Sequence, residues 1–161
     1  MRRILVCGAV ALVPMGGAAL AQSAMPRVHT LLTAGELKWG EPPPVFEKGM
    51  SFTVVSGDPG SAGHFVVRLR MPRGYKIAPH WHPTDERVTV LSGTFALGMG
   101  DTFDKAGLKE LAAGGYALLP ADMRHFATAT SAATVQVEGA GPFALTYVDP
   151  ADDPSRRAAG K

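Results

Sequence analysis

The sequence predicts an all-β domain, a sandwich or barrel, and two observations carry that prediction. From Val45 onward, short segments rich in Val, Phe, Leu and Thr alternate with Gly and Pro clusters at intervals of about eight to twelve residues. Within that region HFVVRLRM, His64 to Met71, alternates strictly: Phe65, Val67, Leu69 and Met71 fall on one face, His64, Val66, Arg68 and Arg70 on the other. Side chains alternate across a strand, so the first face is core and the second mostly wet.

Taken in order, the same makeup predicts strands at 51 to 55, 64 to 71, 76 to 82, 86 to 91 and 93 to 99. Between the first two, Asp58-Pro59-Gly60-Ser61 has Pro and Gly in the order a type II turn prefers. Residues 101 to 112 hold either a short helix over LKELAA or an irregular loop, because neither period dominates. Strands resume at 115 to 119, 123 to 129, 133 to 138 and 143 to 148. The ending DPADDPSRRAAGK is polar and broken by proline, and is expected to fray as a flexible tail over 149 to 161.

Ahead of the β region the 161-residue chain opens with Arg2 and Arg3, the apolar run ILVCGAVALV and the small-residue ending Ala19-Leu20-Ala21. That order is the charged, apolar and cleavage region of an export signal, so 1 to 21 is expected to be removed and the protein to be periplasmic or secreted. Pro14 and the Gly16-Gly17 pair interrupt the run, which disfavours a retained membrane anchor and leaves no membrane association after removal. Cleavage also removes Cys7, the only cysteine, so no disulfide can form and packing alone must stabilise the fold.

Without Arg2 and Arg3 the 16 basic residues fall to 14, equal to the 14 acidic ones. A neutral chain with no basic cluster gives no reason to expect a nucleic-acid partner. About 140 residues make one domain with a real core. Residues 22 to 44 form a lead-in ending in Pro42-Pro43-Pro44, a stiff extended connector, and 45 to 148 form the barrel.

Chemistry concentrates in PHWHPTDERVTVLSG, Pro79 to Gly93. In an extended strand His80 and His82 project to the same face and offer two imidazole nitrogens to one point. Pro83-Thr84-Asp85 supplies a turn, after which Glu86 can bring a carboxylate to that point. Two neutral nitrogens and one carboxylate suit a divalent transition metal. His125, in the separate segment GGYALLPADMRHFATA, is the best placed of the remaining histidines to add a ligand; His29 reads as solvated and His64 as a surface residue. An H-x-H pair alone is also what an ordinary polar strand face shows.

The residues resemble the cupin superfamily. Gly74, His80, His82, Glu86 and Gly93 fit every fixed position of the first cupin motif, G-x5-H-x-H-x3-E-x6-G. Gly114, Pro120 and His125 meet the second, G-x5-P-x-G-x2-H-x3-N, while Asp122 replaces its second Gly and Ala129 its Asn. Asp tolerates left-handed backbone better than most residues, so the turn should survive. The chain is most similar to small exported bacterial single-domain cupins.

That resemblance implies a jelly-roll β-barrel with a metal inside, held by His80, His82, Glu86 and His125, with coordination positions open to substrate. The metal is one divalent transition ion, Fe, Mn, Ni, Cu or Zn. The first functional expectation is an oxygenase acting on a small organic molecule, with Glu86 doubling as proton acceptor. The alternatives are a non-catalytic periplasmic module that binds or senses a metal or small ligand, and a metal-dependent isomerase or decarboxylase. A homodimer, with 22 to 44 as a contact arm, is the expected assembly.

Other residues near the motifs have plainer expectations. Trp81 is outer-face packing, Arg87 and Arg124 are surface charges, and Met71, Met99 and Met123 fill core gaps. Tyr75, Tyr116 and Phe126 line the pocket mouth or fill core. Asp85 and Asp122 serve turns, while Val88 and Val90 share Glu86's side and make the cavity apolar.

Overall fold

The computed structural model describes residues 29–159, so the export signal expected over 1 to 21 and the start of the lead-in lie outside the described residues. Ten strands follow one another: β1 Ser51–Ser56, β2 Gly63–Met71, β3 Lys76–Trp81, β4 Glu86–Ser92, β5 Thr94–Met99, β6 Lys109–Ala112, β7 Tyr116–Leu119, β8 His125–Ala129, β9 Ala133–Gly141 and β10 Thr146–Tyr147. All pairings are antiparallel, giving one sheet in the order β1-β2-β9-β4-β7 and a second in the order β10-β3-β8-β5-β6. The result is the jelly-roll β-barrel.

The alternation along β2 survives folding. Phe65, Val67, Leu69 and Met71 are buried, and they meet Val135 and Val137 of β9, Val88 and Val90 of β4, and Phe95 and Leu97 of β5 in one core. Each such side chain contributes roughly 2 kcal/mol by leaving water. Turns are set by backbone demands. At Gly93, φ is +72° and a Cβ would lie 2.0 Å from the Ala132 carbonyl oxygen, so no other residue fits there without moving β9. Asp122, where the motif usually has Gly, adopts φ 63°, and its N–H donates to the His82 carbonyl at 2.8 Å.

Several expectations need correction. Residues 109 to 112 form strand β6 on the edge of the second sheet, paired with β5 from Thr94↔Ala112 to Leu97↔Lys109, rather than a helix or loop. Pairing with β5 outweighs the helical propensity of LKELAA. The Asp58–Ser61 turn closes with Ser61 N–H on the Asp58 carbonyl at 3.1 Å, yet Gly60 is not left-handed, so the turn is not type II. Instead the Asp58 carboxylate accepts from the Gly60 N–H at 2.8 Å and from the Ser61 hydroxyl at 2.7 Å. Met71 is core, but Met99 and Met123 are exposed. After Val148, expected to fray, the chain forms a 3-10 turn, Pro150–Asp152, and a helix α1, Pro154–Ala159. Asp149 and Asp153 start these turns by accepting from the Ala151 and Ser155 N–H groups at 2.8 and 2.9 Å.

The segment from Gly40 to Glu47 is tied to the barrel. Gly40 bridges to Phe52 of β1, and the hydroxyls of Tyr147 and Tyr75 donate to the carbonyls of Val45 at 2.9 Å and Glu47 at 2.6 Å. Arg157 pairs with the Glu47 carboxylate from the other side. These ties place Pro43, Val45 and Phe46 at the open end of the barrel interior.

Candidate metal centre

His80 and His82 come from the end of β3 and the residue beyond it, and His80 is register-paired with His125 of β8 in the same sheet. Glu86 opens β4 in the opposite sheet, paired with Leu119 and Gly139. The Pro83-Thr84-Asp85 turn therefore carries the chain from one wall of the barrel to the other. All four side chains point inward and are buried. The ring centroids lie 4.2 Å apart for His80 and His125, 5.0 Å for His80 and His82, and 5.3 Å for His82 and His125. Glu86 Oε2 is 3.2 Å from His125 Nε2 and 3.6 Å from His82 Nε2.

Each histidine is fixed by a backbone carbonyl. Nδ1 of His80 lies 2.7 Å from the Ala78 oxygen, Nδ1 of His82 2.8 Å from the Ala144 oxygen, and Nδ1 of His125 2.9 Å from the Met123 oxygen. A carbonyl can only accept, so Nδ1 carries the proton in all three rings. In the neutral ring this leaves the Nε2 lone pair free, which is how a metal-binding histidine is oriented. Nε2 of His82 is buried with no hydrogen-bond partner. Such an orphan is costly unless something binds there.

Burial, reinforced by the neighbouring His125 and His82, pushes the His80 ring down to about 3. Burial likewise lowers His82. Glu86 is subject to opposing effects: burial pushes it up, while the nearby His125 and the other two rings pull it below the ordinary range. His80 is held neutral, because burial is the leading cause of its lowered value and its Nδ1–H is already committed to the Ala78 carbonyl. A cation between the rings would suit a neutral His80 and an ionised Glu86 together.

The residues therefore fit a metal. The ligand nitrogens of His80, His82 and His125 lie within 4.8 Å of one another, and the three can hold a metal ion. Donors on one cation at about 2.1 Å are at most about 4.2 Å apart, close to the spread seen here. A space of about 20 Å³ beside His80, Glu86 and His125 is the size of a single water or ion. A second cavity, of about 180 Å³, opens outward from His80, His82 and Glu86.

Other sequence-named residues take simpler places. Arg87 and Arg124 are exposed and pair with Asp85 at 3.7 Å and Asp101 at 2.7 Å. Asp85 also accepts from the Ala121 N–H at 3.0 Å, tying the turn before Glu86 to the turn before His125. Tyr75 is core, Tyr116 is exposed, and Phe126 packs against Phe103 with centroids 4.9 Å apart, away from the four inward groups. Val88 and Val90 are buried on Glu86's side of β4, where Val88 borders the small space beside Glu86, but neither lines the larger cavity. At Ala129, where the motif has Asn, the backbone suffices: its N–H donates to Tyr75 and its carbonyl accepts from Gly74 at 2.7 Å.

Two contributors were missed. Ala144 supplies the carbonyl that orients His82, and Phe143 stacks on that ring, centroids 4.2 Å apart and planes 21° from parallel. Both lie about 60 residues downstream in an ordinary apolar segment, so no local signal marks them.

Fold and site together define a cupin. A family model, the ChrR cupin-like domain, matches residues 28–140, and the chain belongs to that family. Solved structures with the same fold include the polyketide cyclase RemF from Streptomyces resistomycificus, 15% identical with a TM-score of 0.66, the match covering 82% of this chain and 94% of that one. An acetylacetone dioxygenase candidate from Methylibium petroleiphilum PM1 is 19% identical with a TM-score of 0.59, covering 84% and 96%. An RmlC-like cupin from Shewanella frigidimarina is 15% identical with a TM-score of 0.55, covering 72% and 94%. Among curated protein sequences none matches.

Proposed function

We propose that this protein is a metal-dependent oxygenase acting on a small organic molecule, with His80, His82, Glu86 and His125 as ligands of one divalent transition metal, Fe, Mn, Ni, Cu or Zn. The observation that carries this reading is the buried, unpartnered Nε2 of His82, aimed at the same point as two other carbonyl-locked histidines. When bound, the ion supplies Lewis acidity or redox chemistry at the inner end of the cavity. The three carbonyls hold the rings, the apolar walls exclude water, and Glu86 Oε2, the only carboxylate facing the cavity among the described residues, can take or return a proton.

The test begins with elemental analysis of protein purified from its native compartment. Protein loaded with that metal is then screened for oxygen uptake with phenolic, thiol and dicarboxylate substrates. Uptake that disappears in His82→Ala supports the reading, and silence across the panel refutes it. The reading includes export through residues 1 to 21 and action in the periplasm or outside the cell, which fractionation of the native host tests.

A second reading, a non-catalytic module that binds or senses a small ligand, is favoured by one observation. Beyond the histidines and Glu86, the cavity lining contains no acid or base among the described residues. A ligand-induced rise in melting temperature without turnover supports it. Products formed without oxygen would point instead to isomerisation or decarboxylation.

A further inference from the structure

The cavity beside His80 and His82 has a chemical character that goes further than "small organic molecule". Its volume is about 180 Å³. An apolar cavity of about 150 Å³ accommodates benzene, so this one holds a ring carrying one or two further heavy atoms. Four phenylalanines, Phe46, Phe52, Phe65 and Phe143, contribute to the wall, with Val67, Leu69 and Val137 among the aliphatic remainder. Phe143 links the histidines to the apolar wall, stacked on His82 with its centroid 5.0 Å from that of Phe65.

Polarity is confined to one end. Among the described residues the only polar side chains of the lining are His80, His82 and Glu86, and no lysine or arginine faces the cavity. Arg157, which reaches the adjoining segment, is already paired with Glu47. A charged group enclosed by this wall away from the inner end would lose its hydration with no counter-charge or hydrogen bond to replace it. A negative group would in addition share the cavity with the Glu86 carboxylate.

We infer that the ligand of this site is a small neutral molecule, about the size of a substituted benzene, whose one polar group faces His80, His82 and Glu86 and whose far end is uncharged. The inference names the ligand class of the site proposed above and rests on that reading. It excludes dicarboxylates, amino acids, sugar phosphates and other ligands with charge at both ends.

The test uses two probes that share a ring and a hydroxyl and differ at the far end, p-cresol and 4-hydroxybenzoate. Each is titrated into metal-stripped and zinc-loaded protein, followed by melting temperature and by the methyl NMR signals of Val67, Leu69 and Val137. We expect p-cresol to raise the melting temperature and move those signals, with 4-hydroxybenzoate binding at least tenfold more weakly. Val67→Phe, which fills the cavity, is expected to weaken p-cresol at least tenfold; the wild-type NMR map serves the same purpose should that variant not fold. Equal or tighter binding of 4-hydroxybenzoate overturns the inference, as does failure of both probes or binding that leaves the three methyl signals unmoved. Failure of zinc uptake with p-cresol binding intact would instead overturn the metal reading alone.

Discussion

Lowering the pH from 7 to 5 should destabilise the metal-free protein, and the size of the loss follows from His80. Burial holds this ring at about 3 in the folded chain, against an ordinary 6.5 when exposed. Because the folded value is depressed, the unfolded chain binds more protons between those limits, and stability falls as pH drops through 6.5. At pH 5 the unfolded ring is about 1.5 pH units below its midpoint while the folded ring is still neutral. At 1.36 kcal/mol per unit this amounts to about 2 kcal/mol, a sizeable part of a typical net stability. His82 is depressed for the same reason and adds in the same direction. The pH stops above the range in which ordinary surface carboxylates take up protons. The assay is urea unfolding of EDTA-treated protein at both pH values, for wild type and His80→Leu. Wild type should lose about 2 kcal/mol or more, and the variant about 2 kcal/mol less than wild type. Equal losses in the two proteins would refute the claim that His80 is held neutral by its surroundings.

Other predictions test separate parts of the structure. Zinc at a hundredfold excess over its dissociation constant should stabilise wild type by about 2.7 kcal/mol in urea, and His82→Ala should lose most of that gain. Phe143→Ala leaves all four donors in place but removes the ring stacked on His82; metal titration should show affinity falling about tenfold, and an unchanged affinity would deny the ring a positioning role. Gly93→Ala should cost about 2 kcal/mol or more, because φ is +72° and the new Cβ would meet the Ala132 oxygen. Gly35→Ala, with nothing within 4 Å of the added carbon, should stay within about 0.5 kcal/mol by the same urea measurement.

Strands whose identity depends on burying one face were legible from residue alternation, and β2 is the clearest case, since its period of two survives intact in the folded burial pattern. β6 was not legible. Its four residues, Lys109–Ala112, are a wet edge strand with one half-buried side chain, Leu111, so they carry no alternating signal and their helix formers mislead. What makes them a strand is the exposed edge of β5, a tertiary fact. Met99 and Met123 fail for a related reason: hydrophobic character marks a residue able to be buried, and edges and turns leave some of them outside.

The same division between local and distant information runs through the site. His80, His82 and Glu86 lie within seven consecutive residues, so their convergence follows from strand geometry and one turn, and His125 joins them through its register with His80. Metal donors can be written this way because what a donor needs is an atom type and a direction. Orientation and selectivity cannot. The carbonyl that locks His82 comes from Ala144, and the cavity wall is assembled from Phe46 to Leu145, residues that are individually indistinguishable from core. It follows that two chains sharing the four donors can differ wholly in ligand while their motifs stay identical. The discriminating positions to compare between such chains are Phe46, Phe52, Val67, Val137 and Phe143: a lysine, arginine or carboxylate at any one of them would supply the far-end partner that this cavity lacks.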